Sequence, residues 1–208
     1  MRSAKTSALS QFNPPENAML YSRAVRFMHA AAHDEHPSFD FFRNRNWSGL
    51  WQLREHLVLR AERAARLRGR SYRDFRVGAA AFVTSRKPEQ LRARGLTDCH
   101  IYTGANWKLG QDERNTCAEQ EIVAQIRQND HLFPTKSILA LAIYGRAQGE
   151  PDVESGVVTP TLHPCRHCRR LLMNVRAMRP DTVIMTASPD GASEFMLFCE
   201  LLRLHGVA

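Results

Sequence analysis

Three cysteines constrain the fold of this 208-residue chain more than any other feature of its sequence. Cys165 and Cys168 follow Pro164 at positions i and i+3, which places both sulfur atoms on one face at the start of a predicted helix. Cys117 follows Thr116, a residue type that caps helices, at the start of a second predicted helix. The amide groups at a helix N-terminus favour the thiolate, which is the form of cysteine that binds metal. A fold that joins these two helix ends would supply three ligands for a tetrahedral zinc ion.

The sequence offers no fourth protein ligand for such an ion. Cys99 and Cys199 lie in a predicted strand and in a predicted helix interior, without a partner motif. The spacing of His163 and His167 gives no reason to place either beside the metal. Three protein ligands and an open position are typical of catalytic zinc sites, in which water takes the fourth place. A Cys-x-x-Cys pair alone is equally consistent with a redox pair or with chance.

Glu119 favours the catalytic interpretation. It lies two residues after Cys117, where a carboxylate can reach a metal-bound water without binding the metal. A general acid/base needs that placement. Cys-Ala-Glu followed later by Pro-Cys-x-x-Cys matches the signature of zinc deaminases, whereas either motif alone would be weak.

Hydrophobic periodicity predicts an α/β fold for the rest of the chain. Leu50, Leu57 and Ala61 lie on one face of a long helix that begins near Ser48 and ends at Gly69. Further helices are predicted over 117–128, 164–178 and 194–204, and strands over 75–83, 100–104, 137–144 and 182–186. This order predicts a three-layer α/β/α sandwich, with helices on both faces of a mixed sheet.

The chain resembles the cytidine deaminases, in the branch with three cysteine ligands, from about residue 53 to residue 205. Residues 72–80 resemble the family's Phe-x-Val-Gly-Ala-Ala strand, and Gly104-Ala105-Asn106 resembles its Gly-x-Asn segment. Residues 189–191 and 200–202 resemble its C-terminal end. We therefore predict a zinc-dependent deaminase domain over residues 48–208. Residues 1–47 form an N-terminal extension, with a predicted helix over 16–33.

The resemblance implies the roles of individual residues. Cys117, Cys165 and Cys168 would bind Zn²⁺, which lowers the pKa of bound water to about 7. Glu119 would take a proton from that water and deliver it to N3 of the base and then to the leaving ammonia. The predicted substrate-binding residues are Phe75 against the pyrimidine ring, Asn106 at the ribose hydroxyls, and also Lys108 and Ala118.

The same resemblance implies the reaction and the partners. The expected reaction is hydrolytic deamination of cytidine- or deoxycytidine-type nucleosides to the uridine product and ammonia, a step of pyrimidine salvage. The family's tetramers, whose sites borrow residues from neighbours, imply a homo-oligomer here, a tetramer or a dimer. A cytosine nucleotide, or a modified or antibiotic cytosine nucleoside, is an alternative substrate.

Two residues depart from the family pattern. Asn106-Trp107-Lys108 stands where the family has Asn-x-Glu, which exchanges a carboxylate acceptor for an ammonium donor. We hypothesise that Lys108 selects an anionic or modified sugar end; alternatively, its side chain turns to solvent. Gln120 stands where the family usually has arginine. We expect Arg169 to compensate for the negative charge of the three thiolates.

The net charge of +8 raises a nucleic-acid alternative. It is concentrated in residues 54–94, which carry 12 basic and 4 acidic side chains. A solvated helix face explains this stretch as well as a phosphate-binding surface does. Aromatic and arginine residues over 39–47 could stack on bases or dock the extension onto the domain. A deaminase of cytosine in RNA or DNA, and a non-catalytic zinc-stabilised nucleic-acid-binding module, therefore remain as alternatives.

Other function classes are excluded by composition. The share of charged residues, 24%, and the ample apolar residues argue against a disordered chain. No apolar run reaches the roughly 20 residues that span a bilayer, and the N-terminus lacks the apolar stretch of a secretory signal. We expect a cytoplasmic location and no membrane partner.

Overall fold

The computed structural model describes residues 48–71, 74–86, 98–110, 115–147, 156 and 158–207, with side chains from Leu50 onward. The predicted helix over 16–33 and the whole aromatic and arginine segment over 39–47 lie outside the described residues. The boundary between extension and domain stays a prediction.

Four helices and seven strands follow one another along the described residues. They are α1 (Ser48–Arg68), β1 (Arg70–Ser71), β2 (Gly78–Thr84), β3 (Cys99–Ala105), β4 (Trp107–Lys108), α2 (Ala118–Gln128), β5 (Ser137–Tyr144), α3 (Arg166–Met173), β6 (Val183–Ala187), β7 (Ser193–Leu197) and α4 (Phe198–Leu204). Within these ranges, no helix combines the length and the apolar character needed to cross a lipid bilayer.

The five longer strands form one mixed sheet in the order β3-β2-β5-β6-β7, in which only β5 and β6 run parallel. Gly78 of β2 approaches the backbone of Ala61 in α1. Gly104 of β3 approaches the backbone of Ala118 in α2. Gly104 pairs with Ala79, the neighbour of Gly78, so the two glycines lie on opposite faces of the sheet. Helices α1 and α2 therefore cover opposite faces, which confirms the predicted α/β architecture around a mixed sheet.

The larger core lies between the sheet and helices α2, α3 and α4. Ile122, Leu172 and Leu201, one from each helix, are buried in a single cluster with strand residues such as Ala79 and Ile184. Burying a side chain of this size contributes about 1.5–3 kcal/mol. This packing holds the first turns of α2 and α3 against the same part of the sheet.

The C-terminal region differs from the predicted single helix over 194–204. Residues Ser193–Leu197 form β7, which pairs antiparallel with β6, and the helix begins only at Phe198. Gly191, with a φ of +93°, lies in the turn that reverses the chain onto the edge of β6. The apolar pattern continues without a break from β7 into α4, so periodicity alone does not separate the two elements.

Two smaller differences concern the ends of elements, and a third concerns a short strand pair. Helix α3 ends at Met173, before the predicted residue 178, because Asn174 forms its C-cap. The strand predicted over 75–83 begins at Gly78. A short parallel pair between β1 and β4, with Arg70 opposite Trp107, was not predicted from the sequence.

We expect Gly78→Ala to destabilise the protein by about 3 kcal/mol or more. A Cβ at this position would lie 1.9 Å from the carbonyl oxygen of Ala61, a backbone atom that cannot give way without moving α1. Chemical denaturation measures the loss of unfolding free energy.

The matched control is Gly206→Ala, where a Cβ has open space and only the φ of +67° opposes alanine. It should cost about 1 kcal/mol. Equal losses in the two variants would contradict the close approach of α1 to β2.

Candidate metal centre and active site

The structure brings together the three cysteines that the sequence pairs with zinc. Cys117 is the N-cap of α2, Cys165 is the N-cap of α3, and Cys168 lies in the first turn of α3. Their sulfur atoms all lie within 4.8 Å of one another, and those of Cys117 and Cys165 are 3.9 Å apart. The two helix N-termini thus meet at one point, with their amide ends on the side of the sulfurs.

The donor set fits a zinc ion. Zinc–sulfur bonds of about 2.3 Å in tetrahedral geometry place neighbouring sulfurs about 3.8 Å apart, close to the separation of Cys117 and Cys165. Among the described residues, no fourth histidine, cysteine or carboxylate joins this cluster. His163, two residues before Cys165, instead contacts Glu194 at 3.1 Å and His205 at 3.0 Å. Three thiols without a fourth protein ligand are the donor set of a catalytic zinc site.

The three thiols shift one another's pKa values in different directions. Hydrogen bonds from the Cys117 and Cys168 thiols lower the pKa of Cys165 to about 2. The contact with Cys165 raises the pKa of Cys117 to about 12, and hydrogen bonds with its two partners also raise the pKa of Cys168. Cys165 is the exposed member and Cys168 the buried one.

Glu119 lies in the first turn of α2 and is 4% exposed. Burial, reinforced by the negative charge of Cys165, raises the pKa of its carboxyl group to about 7. Backbone amides, the Cys168 thiol and the positive charge of Lys108 partly oppose this shift. A carboxyl group with such a pKa can both accept and release a proton near neutral pH, as a general acid/base must.

Gln120 and Glu121 fix the N-terminus of α2. The Gln120 side-chain oxygen accepts a hydrogen bond from the Cys117 amide at 2.7 Å. The carboxylate of Glu121 accepts hydrogen bonds from the Ala105 amide at 2.6 Å and from the Arg68 guanidinium at 2.9 Å. Glu121 therefore ties α2 to the end of β3 and to the end of α1. The sequence analysis did not identify the role of Glu121. The available signal was a second carboxylate in the sequence Glu119-Gln120-Glu121.

Asn106 connects the end of β3 to the segment that precedes β2. Its side chain is 1% exposed, accepts a hydrogen bond from the Val77 amide at 2.8 Å and donates one to the Phe75 carbonyl at 2.6 Å. Asn106 thus sets the backbone position of Phe75, which is half-buried against the core. The contact of Asn106 with sugar hydroxyls, which the resemblance implies, stays a prediction, as does stacking by Phe75.

The other two predicted substrate-binding residues differ in burial. Ala118 is fully buried in the core, so its methyl group packs against the sheet, and its contact with substrate stays a prediction. Lys108 is half-buried, and its Nζ lies 5.9 Å from the centroid of the Phe75 ring. The structure therefore places Lys108 beside Phe75.

Arg169 lies beside the cysteine cluster and is 1% exposed. Its Nη1 donates a hydrogen bond to the carbonyl oxygen of Pro164 at 2.8 Å, and its amide donates to the carbonyl oxygen of Cys165. Arg169 thereby fixes the loop that carries Cys165. Compensation of thiolate charge by Arg169 stays a prediction.

No protein-family model and no curated protein matches the chain. Solved structures that resemble it include three cytidine deaminases, each aligned with 71% of this chain. The enzyme from Burkholderia pseudomallei is 18% identical, with a TM-score of 0.49 over 94% of its own chain. The enzyme from Mycobacterium leprae is 22% identical (TM-score 0.46, 95% of its chain), and that from Mycobacterium tuberculosis is 24% identical (TM-score 0.45, 92% of its chain). All three bear the name of the family that the sequence motifs resemble.

Proposed function

We propose that this chain is a zinc-dependent hydrolase that deaminates the cytosine ring of a nucleoside-type small molecule. The observation that carries the proposal is the meeting of three thiols at two helix N-termini, with the buried carboxyl group of Glu119 in the first turn of one of them. A structural zinc site does not need a buried carboxylic acid at that position, whereas hydrolytic deamination requires one as its general acid/base.

The three thiolates of Cys117, Cys165 and Cys168 hold the metal in this mechanism. Zinc, when bound there, supplies the Lewis acidity that activates a water molecule for attack on C4 of the base. Glu119 accepts a proton from the attacking water and donates it to N3 of the ring. It then transfers the second water proton to the amino group, which leaves as ammonia. The C4–N bond breaks, a C4–oxygen bond replaces it, and the product is the uracil compound.

The neighbouring residues support this assignment through their positions. Asn106 fixes the backbone of Phe75, and in this proposal the aromatic ring lies against the substrate base. Gln120 and Glu121 orient the helix that carries Glu119. Positioning of this kind holds the acid/base within hydrogen-bond reach of a bound ring, which general catalysis demands.

Contacts of the arginine-rich stretch weigh against the nucleic-acid alternatives. Five of its arginines form ion pairs with carboxylates: Arg54 with Glu55, Arg66 with Glu62, Arg68 with Glu121, Arg76 with Asp74, and Arg86 with Asp98. Paired guanidinium groups contribute less to a phosphate-binding surface than free ones do. The buried Glu119 likewise argues against a non-catalytic binding module. A homo-oligomer and a cytoplasmic location stay predictions.

One assay tests the proposed function directly. Purified protein should contain one zinc per chain by atomic emission, and it should release ammonia from cytosine compounds but not from adenine or guanine compounds. The panel contains cytidine, deoxycytidine, cytidine monophosphate, adenosine, guanosine and a cytosine-containing oligonucleotide. Release of ammonia from the oligonucleotide alone would favour the nucleic-acid deaminase. Absence of release from every member would overturn the proposal.

A further inference from the structure

Lys108 supplies a positive charge inside the candidate active site. Its Nζ lies 5.9 Å from the centroid of the Phe75 ring. The residue before it, Trp107, exchanges both backbone hydrogen bonds with Thr116, which directly precedes the proposed metal ligand Cys117. The ammonium group therefore lies beside the Phe75 ring, on a strand that runs next to the N-terminus of α2.

Lys108 differs from the arginines of the basic stretch in its contacts. Five of those arginines form ion pairs with carboxylates, whereas no described carboxylate forms one with Lys108. The backbone holds Lys108 in place, since β4 pairs Ser71 with Lys108 and Trp107 bonds to Thr116 in both directions. A half-buried ammonium group that its own described neighbours do not pair is suited to receive an anion from a ligand.

We propose that the substrate of this site is a cytosine compound with a single anionic group, such as a phosphate, on its sugar, and that Lys108 binds that group. This inference rests on the proposed function, because it assumes that the cytosine ring lies between Phe75 and the metal. A sugar joins the ring to its phosphate, so an ammonium group 5.9 Å from the centroid of the Phe75 ring is within reach of a phosphate on a nucleotide whose base stacks there. Among the described residues, Lys108 is the cation that the structure places over the Phe75 ring, and one such charge matches one phosphate, which favours a mononucleotide over a polynucleotide strand.

A competing role for Lys108 is compensation of charge. Three thiolates and Zn²⁺ leave one net negative charge, which a nearby ammonium group would offset. The two roles predict different results. A compensating lysine would change zinc affinity and the turnover of every substrate alike, whereas an anion-binding lysine would change only the substrates that carry the anion.

The experiment compares kcat/KM for cytidine and cytidine monophosphate in the wild type, Lys108→Met and Lys108→Glu. We expect the wild type to prefer the monophosphate. Lys108→Met should lower the ratio of kcat/KM for the monophosphate to kcat/KM for cytidine roughly 10- to 100-fold, mainly through a higher KM for the monophosphate. Lys108→Glu should reverse the preference. Zinc affinity, measured by competition with a chelating dye, should not change.

The matched control is Lys136→Glu, which makes the same change of charge at an exposed lysine. Lys136 bonds to Thr84 at the far end of β2, away from Gly78 and the site, so both substrates should keep their wild-type rates.

A wild type that prefers cytidine, or a Lys108→Met variant that loses both substrates equally, would overturn the inference while the deaminase function stands. Preference for an oligonucleotide over the monophosphate would also overturn it. No turnover of any cytosine compound would instead refute the proposed function.

Discussion

Glu119→Gln should lower kcat for deamination of a cytosine substrate by about 10²- to 10⁴-fold, with full zinc content retained. The amide has the same shape as the carboxyl group but cannot accept a proton from water or pass one to the leaving amine. Glu119 is not among the clustered donors, so its replacement leaves all three thiols in place. Steady-state ammonia release and zinc analysis of the same preparation provide the two readouts.

The control for this variant is Glu62→Gln, which makes the same change on α1. Glu62 pairs with Arg66 on the face of the sheet opposite α2. The deamination rate of Glu62→Gln should therefore stay within about 2-fold of the wild-type rate. Full zinc content together with more than a tenth of wild-type activity in Glu119→Gln would show that another group moves the protons. Loss of zinc from Glu119→Gln would instead assign the carboxylate to the metal.

The cluster of three cysteines could be predicted from sequence because the spacing of its members is local to two helix ends. The spacing of Cys165 and Cys168 brings their sulfurs together within one turn, and Cys117 begins the other helix. Only the meeting of the two helices required tertiary packing. The buried residues of α2 and α3 bring the two helices together, because both helices pack on one face of the sheet.

The roles of Asn106 and Glu121 could not be predicted in the same way. Both act through hydrogen bonds to backbone groups that lie far along the chain: Asn106 to residues 75 and 77, and Glu121 to Ala105. Such contacts follow from the register between strands and from the rotation of α2 about its axis. Neither quantity is encoded in a short motif. Strand β7 was missed for a related reason, because its pairing depends on the edge that β6 presents.

Cys168→Ser should abolish zinc binding and with it a large part of the stability of the protein. Cys168 is fully buried, so the variant leaves two sulfurs and a neutral hydroxyl, which does not ionise to replace the lost thiolate. A metal that binds only the folded state stabilises it by about 4 kcal/mol at a concentration 1,000 times its dissociation constant. We therefore expect less than about a tenth of a zinc per chain and a lower melting temperature, measured by atomic emission and calorimetry.

A chelator separates the contribution of the metal from that of side-chain packing. It should lower the melting temperature of the wild type but leave that of Cys168→Ser unchanged, because the variant has no metal to lose. Cys199→Ser is the matched control: Cys199 lies in α4, outside the cluster, and this variant should keep its zinc and respond to the chelator as the wild type does. If the chelator leaves the melting temperature of the wild type unchanged, the three cysteines do not bind a stabilising metal. The catalytic proposal fails if zinc analysis also finds no metal in the wild type, since in that proposal Glu119 acts on a water molecule that the metal activates.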